Sequence, residues 1–166
     1  MGIHLIIDGY NLIRQSPALR AAEAEAIESG REALLDLLWR YKKVKGHQVT
    51  VVFDAWGSRE ARRQRQTIKG IKVIYSRAGE TADEVIRELV RKEGQRAIVV
   101  SSDREVQAYA ERFGATSISS PEFESRLELA LYQDLKGLEE DDLPPQGRGK
   151  KLPKKLRRRQ ARLRKL

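Results

Sequence analysis

Two kinds of apolar patterning alternate along the first 136 residues. Short unbroken runs rich in Val and Ile occupy 3–7, 48–53, 71–75, 96–100 and 115–118. Runs without in–out alternation predict strands covered on both faces, as in a parallel sheet. Apolar residues at helical spacing fill most of the intervals. From Pro17 to about Val44 the pattern predicts two helices. Ser16-Pro17 supplies a cap and a proline at the first helical position of one. Ser29-Gly30-Arg31-Glu32 reads as a capping box for the other, whose apolar face is Leu34, Leu35, Leu37, Leu38, Trp39 and Tyr41. Thr81 with Glu84 opens a helix with Val85, Ile86, Leu89 and Val90 inward. Ser102 with Glu105 reads as a third box, its helix running to Arg112 and closed by Gly114. Ser120-Pro121 starts a last helix carrying Leu127, Leu129, Leu131 and Leu135. Such alternation predicts a three-layer α/β domain over residues 1–136, with a parallel sheet and right-handed crossovers.

Three segments stand apart. Residues 54–70, with Arg59, Arg62, Arg63 and Arg65, are too basic for a core and are expected to form a loop. Residues 137–149, with EEDDLPPQGRG, read as a linker by their proline, glycine and charge. Residues 150–166 form a basic C-terminal tail. Net charge is +9, and its distribution matters more than its size. Eleven of the 33 Lys/Arg and none of the 24 Asp/Glu lie at or beyond Arg148, leaving 22 bases against 24 acids before it. A helix starting near Pro153 would put Leu156, Leu163 and Leu166 on one side. That stripe is too thin for an isolated helix, so the tail is expected to be disordered when free and to order on a polyanion. Its cations, Lys154, Lys155, Arg157, Arg158 and Arg159 among them, make RNA the expected partner, and charge reversal in the arginine-rich loop is expected to weaken RNA binding.

No cysteine is present, which removes disulfides, thiolate nucleophiles and zinc–thiolate sites and fits a cytoplasmic setting. The N-terminal run is too short and lacks the basic start of a signal peptide. No apolar stretch nears a membrane span, so no membrane partner is expected.

Strand ends carry the candidate chemistry. Asp8 follows the first strand, Asp54 the second, and Ser101-Ser102-Asp103 the fourth, while Asp83 lies in the first turn of the helix after the third. In a parallel sheet all of these meet the carboxyl edge, where open α/β folds place ligands. Clustered carboxylates repel unless a cation sits among them, and an oxygen-only donor set suits Mg²⁺ or Mn²⁺. This points to metal-assisted hydrolysis of a phosphodiester. Plainer roles compete: Asp83 and Asp103 suit helix first turns, Asp54 a turn, and Ser101 and Ser102 caps. Asn11 either caps the turn after Asp8 or holds a water or phosphate at the site. His4 and His47 fall at the opposite edge, which disfavours a paired-imidazole mechanism. No G-x-x-x-x-G-K-[ST] or G-x-G-x-x-G run occurs, which argues against P-loop NTPase and dinucleotide chemistry.

The stretches IIDGYNLI, VVFDAWG, AGETADEVI and VVSSDREV, in this order and spacing, resemble the YacP-like branch of the NYN domains, which are PIN-like nucleases. The resemblance covers about residues 1–136. It implies a PIN-like sheet of order 3-2-1-4-5 and a divalent-metal-dependent endoribonuclease acting on mRNA in the context of the ribosome. It also implies Asp8, Asp83 and Asp103 as metal-binding acids with Asn11 in the same site, and Asp54 as a less certain fourth. A monomer is expected. The competing reading is a non-catalytic ribosome- or RNA-binding module using the same basic surfaces. Clustered carboxylates weigh against it, because they would repel phosphate.

Overall fold

Each central strand sends its side chains alternately to two apolar layers. Leu5, Ile7, Val49, Val51, Phe53, Val73, Ile98 and Val100 join one core. Ile6, Val52, Ile74, Ala97 and Val99 join a second. The computed structural model describes residues 2–55, 58–137 and 152–166, so the expected linker lies, beyond Gly137, outside the described residues, as do residues 150 and 151 of the tail.

In chain order the elements are β1 (His4–Asp8), α1 (Gly9–Gln15), α2 (Pro17–Glu25), α3 (Ile27–Lys45), β2 (Gln48–Phe53), β3 (Gln64–Ile68), β4 (Ile71–Tyr75), α4 (Ala82–Glu93), β5 (Ala97–Val100), α5 (Arg104–Arg112), β6 (Thr116–Ile118), α6 (Ser120–Lys136) and α7 (Lys154–Arg164). The sheet runs β3-β4-β2-β1-β5-β6. Its five parallel strands have the order expected for the PIN-like fold, and β3 adds an antiparallel edge. Helices α1, α2, α3 and α6 contribute to the first core, α4 and α5 to the second. Three layers result.

Several expected details change. The supposed loop at 54–70 contains β3, whose residues are mostly exposed. Lys69 and Gly70 both take positive φ, 51° and 80°, as the tightest hairpin turns require, between the paired Ile68 and Ile71. Helix α3 starts at Ile27 rather than at a Ser29–Glu32 box. Gly30 sits inside it because a Cβ there would come within 2.9 Å of the Glu23 Cβ on α2. Trp39 lies outside the core of α3, under the ammonium groups of Lys43 and Lys69. The caps at Ser16 and Thr81 form as expected. The third does not: Asp103, not Ser102, caps α5. On α6, Leu127 is buried, but Leu129 and Leu135 face outward.

The tail departs most. It is a helix lying on the body, because Leu163 and Leu166 bury against Tyr41 and its neighbours in the first core. The Tyr41 hydroxyl donates to the Leu166 carbonyl and Arg126 to that of Leu163. An isolated helix of this composition would be unstable; the docked one borrows the core. Leu156, expected on the same stripe, is exposed.

Candidate active site

Asp8 ends β1 beside Val52 of β2, and the chain passes straight into α1. Gly9 allows the chain to pass close against Phe53, since a Cβ there would run into the Phe53 ring. The helix then returns Asn11 to the same edge. From the neighbouring parallel strand β5, Ser101 follows Val100 and is fully buried. Its hydroxyl donates to Asp8 Oδ2 at 3.0 Å and accepts from the Asp103 amide at 3.1 Å. Asp103 Oδ1 takes the amides of Glu105 and Val106, capping α5. Asn11 Oδ1 accepts from the Ser102 amide at 2.9 Å and the Ser120 hydroxyl at 2.7 Å. With its oxygen held on that side, the amide nitrogen of Asn11 is turned the other way. Asp83 arrives from the first turn of α4.

Electrostatics tie the three aspartates together. Burial pushes the Asp8 carboxyl up to about 6; the charges of Asp83 and Asp103 add to this, and bonds from Ser101 and the Asn11 backbone oppose it. Burial likewise raises Asp83, with Asp103, Glu105 and Asp54 adding to the effect and Arg87 opposing it. Asp54 stands after β2, its Oδ1 3.5 Å from the Ser76 hydroxyl. Glu80 is not part of this group: it is held by Arg63 through two bonds of 2.9 and 2.7 Å. Sequence reasoning missed Ser120 and Ser76. A strand end running into Ser-Ser-Asp pointed to Ser101 only as a cap.

Among the described residues, no three acidic or histidine side chains converge closely enough to cage an ion by themselves. Oxygen donors that are partly desolvated and mutually repelling fit a hard cation that keeps much of its water, such as Mg²⁺ or Mn²⁺. They do not fit an all-protein cage. Both histidines stand at the other edge of the sheet. His4 Nε2 is 2.7 Å from Thr50 Oγ1, and burial lowers its pKa against the opposing pull of Glu93. His47 is 2.8 Å from the Lys165 carbonyl.

The basic candidates separate. Arg62, Arg63, Arg65, Arg77 and Glu88 line an open cleft of about 460 Å³. Arg63 is held by Glu80 and Glu88, whereas Arg59 is exposed. Lys154, Lys155, Arg157 and Arg158 lie exposed on α7. Arg159 donates to the Ser117 carbonyl. Along α7, Arg162 contacts Gly114 and Thr116 at the start of β6, while Arg159 reaches Glu122 in the first turn of α6 at 4.0 Å.

A PIN-like sheet with this acidic rim defines a nuclease-type domain of the NYN class. The chain belongs to the YacP-like NYN domain family, which it matches over residues 5–165. It is 36% identical over 87 residues to the uncharacterized protein YacP of Bacillus subtilis, a match covering 52% of this chain and 51% of that protein. The match thus spans about half the length of that relative. Its fold is similar to the crystal structure of Rae1 (YacP) from Bacillus subtilis, with TM-score 0.68 and 31% identity over 82% of this chain and 79% of that one. A tryptophan-to-leucine mutant of that protein is similar at TM-score 0.67, with 29% identity over 80% and 79% of the two chains. No helix among the described residues is long and apolar enough to cross a membrane.

Proposed function

We propose that this protein is a divalent-metal-dependent endoribonuclease, cutting mRNA in the setting of the translating ribosome. The observation that carries the reading is the placing of Asp8: a partly buried carboxylate at a strand end, bridged by the Ser101 hydroxyl to the Asp103 amide, its pKa raised by burial and by the charges of Asp83 and Asp103. A free-standing RNA-binding surface gains nothing from that arrangement. A Mg²⁺ or Mn²⁺ ion held by Asp8, Asp83 and Asp103, with Asp54 at the margin, would offset charge building on the phosphate and make water a better nucleophile. Asn11, fixed through its oxygen, offers its amide N–H groups to a phosphate oxygen. Ser101 keeps Asp8 and Asp103 in register. Arg62, Arg65 and Arg77 supply the attraction for RNA backbone that the acids cannot. The ribosomal setting rests on the resemblance of the four motifs and on the basic exterior.

The test is incubation of the purified protein with mRNA, with Mg²⁺ or Mn²⁺ or with EDTA, and with or without ribosomes. Cutting that requires the ion supports the enzyme. RNA that binds and stays intact under every condition would favour the non-catalytic binding module.

A further inference from the structure

A second concavity, of about 430 Å³, opens between α1, α3 and the ends of β2 and β4. It lies within the range of roughly 300–1,000 Å³ of pockets that enclose small ligands. Tyr10, Arg14, Ile27, Arg31, Asp54 and Tyr75 line it. Asp54 links it to the acidic rim, since its charge bears on Asp83. The aromatic walls are fixed in place. Phe53 packs against both, 5.0 Å from the Tyr10 ring and stacked at 5.6 Å on that of Tyr75. Arg31 donates to the Tyr10 hydroxyl at 2.9 Å and lies 5.8 Å from the Tyr75 ring, while Arg14 lies 5.6 Å from the Tyr10 ring. Two carboxylates share the lining with these arginines: Asp54, and Glu23, whose buried Oε2 has no hydrogen-bond partner among the described residues.

Mixed charge makes this a poor phosphate site. Flat π-faces, guanidinium planes and edge acceptors together suit a planar heterocycle that carries N–H donors. We propose that the pocket receives one unstacked nucleobase of a single-stranded RNA, seating the strand so that an adjoining phosphate lies on the acidic rim. This deepens the nuclease reading and rests on it. It also gives the site a means of selecting position along a strand, which the carboxylates, acting on a backbone common to all sequences, do not have.

The test uses the full chain in EDTA, so that binding is read without cutting. A short single-stranded RNA carries 2-aminopurine, whose emission is quenched by stacking, at each position in turn; a parallel set carries one abasic residue. At one position, binding is expected to quench the probe, and abasic substitution there to weaken affinity by about 5- to 100-fold, the effect of losing one stacked base. Tyr75→Leu, and Arg14→Ala on the exposed side of α1, should each remove quenching at that position alone. They should also make the abasic substitution there nearly neutral. A position profile that is flat, or that both variants leave unchanged, overturns the pocket. Cutting of the same RNA with Mn²⁺, measured separately, keeps the two readings apart: a flat profile with intact cutting removes the pocket and leaves the nuclease.

Discussion

Burial at the end of β1 makes the ionised Asp8 carboxylate costly. Its pKa rises from 3.8 to about 6 on folding, so the folded protein holds a proton that the unfolded chain releases between those values. Stability without metal must therefore fall as pH rises through that window. Asp8→Asn should remove this pH dependence and raise metal-free stability at pH 7 by about 1–3 kcal/mol, since each tenfold change in proton affinity is worth roughly 1.4 kcal/mol. Urea melts at pH 4 and pH 7 check this; a variant less stable than wild type at pH 7 would show that the carboxylate is well solvated. Ser101→Ala should act the other way, costing about 1–3 kcal/mol by leaving the Asp103 amide and Asp8 Oδ2 without their shared hydroxyl. The aspartates were legible in the sequence because each directly follows a strand or opens a helix. The serine bridges were not: Ser101 meets Asp8 across 93 positions and Ser120 meets Asn11 across 109, pairings that only the folded sheet creates.

Among the elements, the five parallel strands were readable because burial on both faces demands continuous apolar runs. The edge strand β3 was hidden because exposure on both faces removes any such demand, leaving the Lys69-Gly70 turn as its one local signal. The hairpin changes the arginines from a uniform basic loop into two groups. Arg63, largely buried against Glu80, is structural: Arg63→Ala should cost about 2 kcal/mol by stranding that carboxylate. Arg62→Ala, at a position without an acidic partner among the described contacts, should leave melting unchanged and weaken RNA binding. Equal thermal effects of the two would erase the distinction. The start of α7 near Pro153 was readable, but its docking on the body was hidden for a related reason. Its apolar stripe is too thin to stand alone, and nothing local reveals that Leu163 and Leu166 complete the core beside Tyr41. Leu163→Asp should release it, seen as faster tryptic cleavage within 154–165, with the transition of the body retained.

For the whole molecule, the acids of the strand ends and the cations of the tail stand on separate elements. Acids meet at the carboxyl ends of the strands, and α7 lies along α6 and β6, with Arg162 at Gly114 and Thr116 and Arg159 at Glu122 in the first turn of α6. The exposed Lys154, Lys155, Arg157 and Arg158 of α7 suit the backbone of a large RNA. Converting these four to Gln should flatten the log–log salt dependence of RNA or ribosome binding by about 3, at roughly 0.7 per phosphate contact. A slope equal to wild type would remove α7 from the interface. The central claim is that the acidic rim performs metal-dependent hydrolysis, and the chemistry of the cut ends tests it most directly. With Mg²⁺ or Mn²⁺, the wild-type protein should leave 5′-phosphate and 3′-hydroxyl ends, while Asp8→Asn, folded and RNA-binding, should leave the RNA whole. Fragments ending in 2′,3′-cyclic phosphate, or cutting by Asp8→Asn at the wild-type rate, would contradict it.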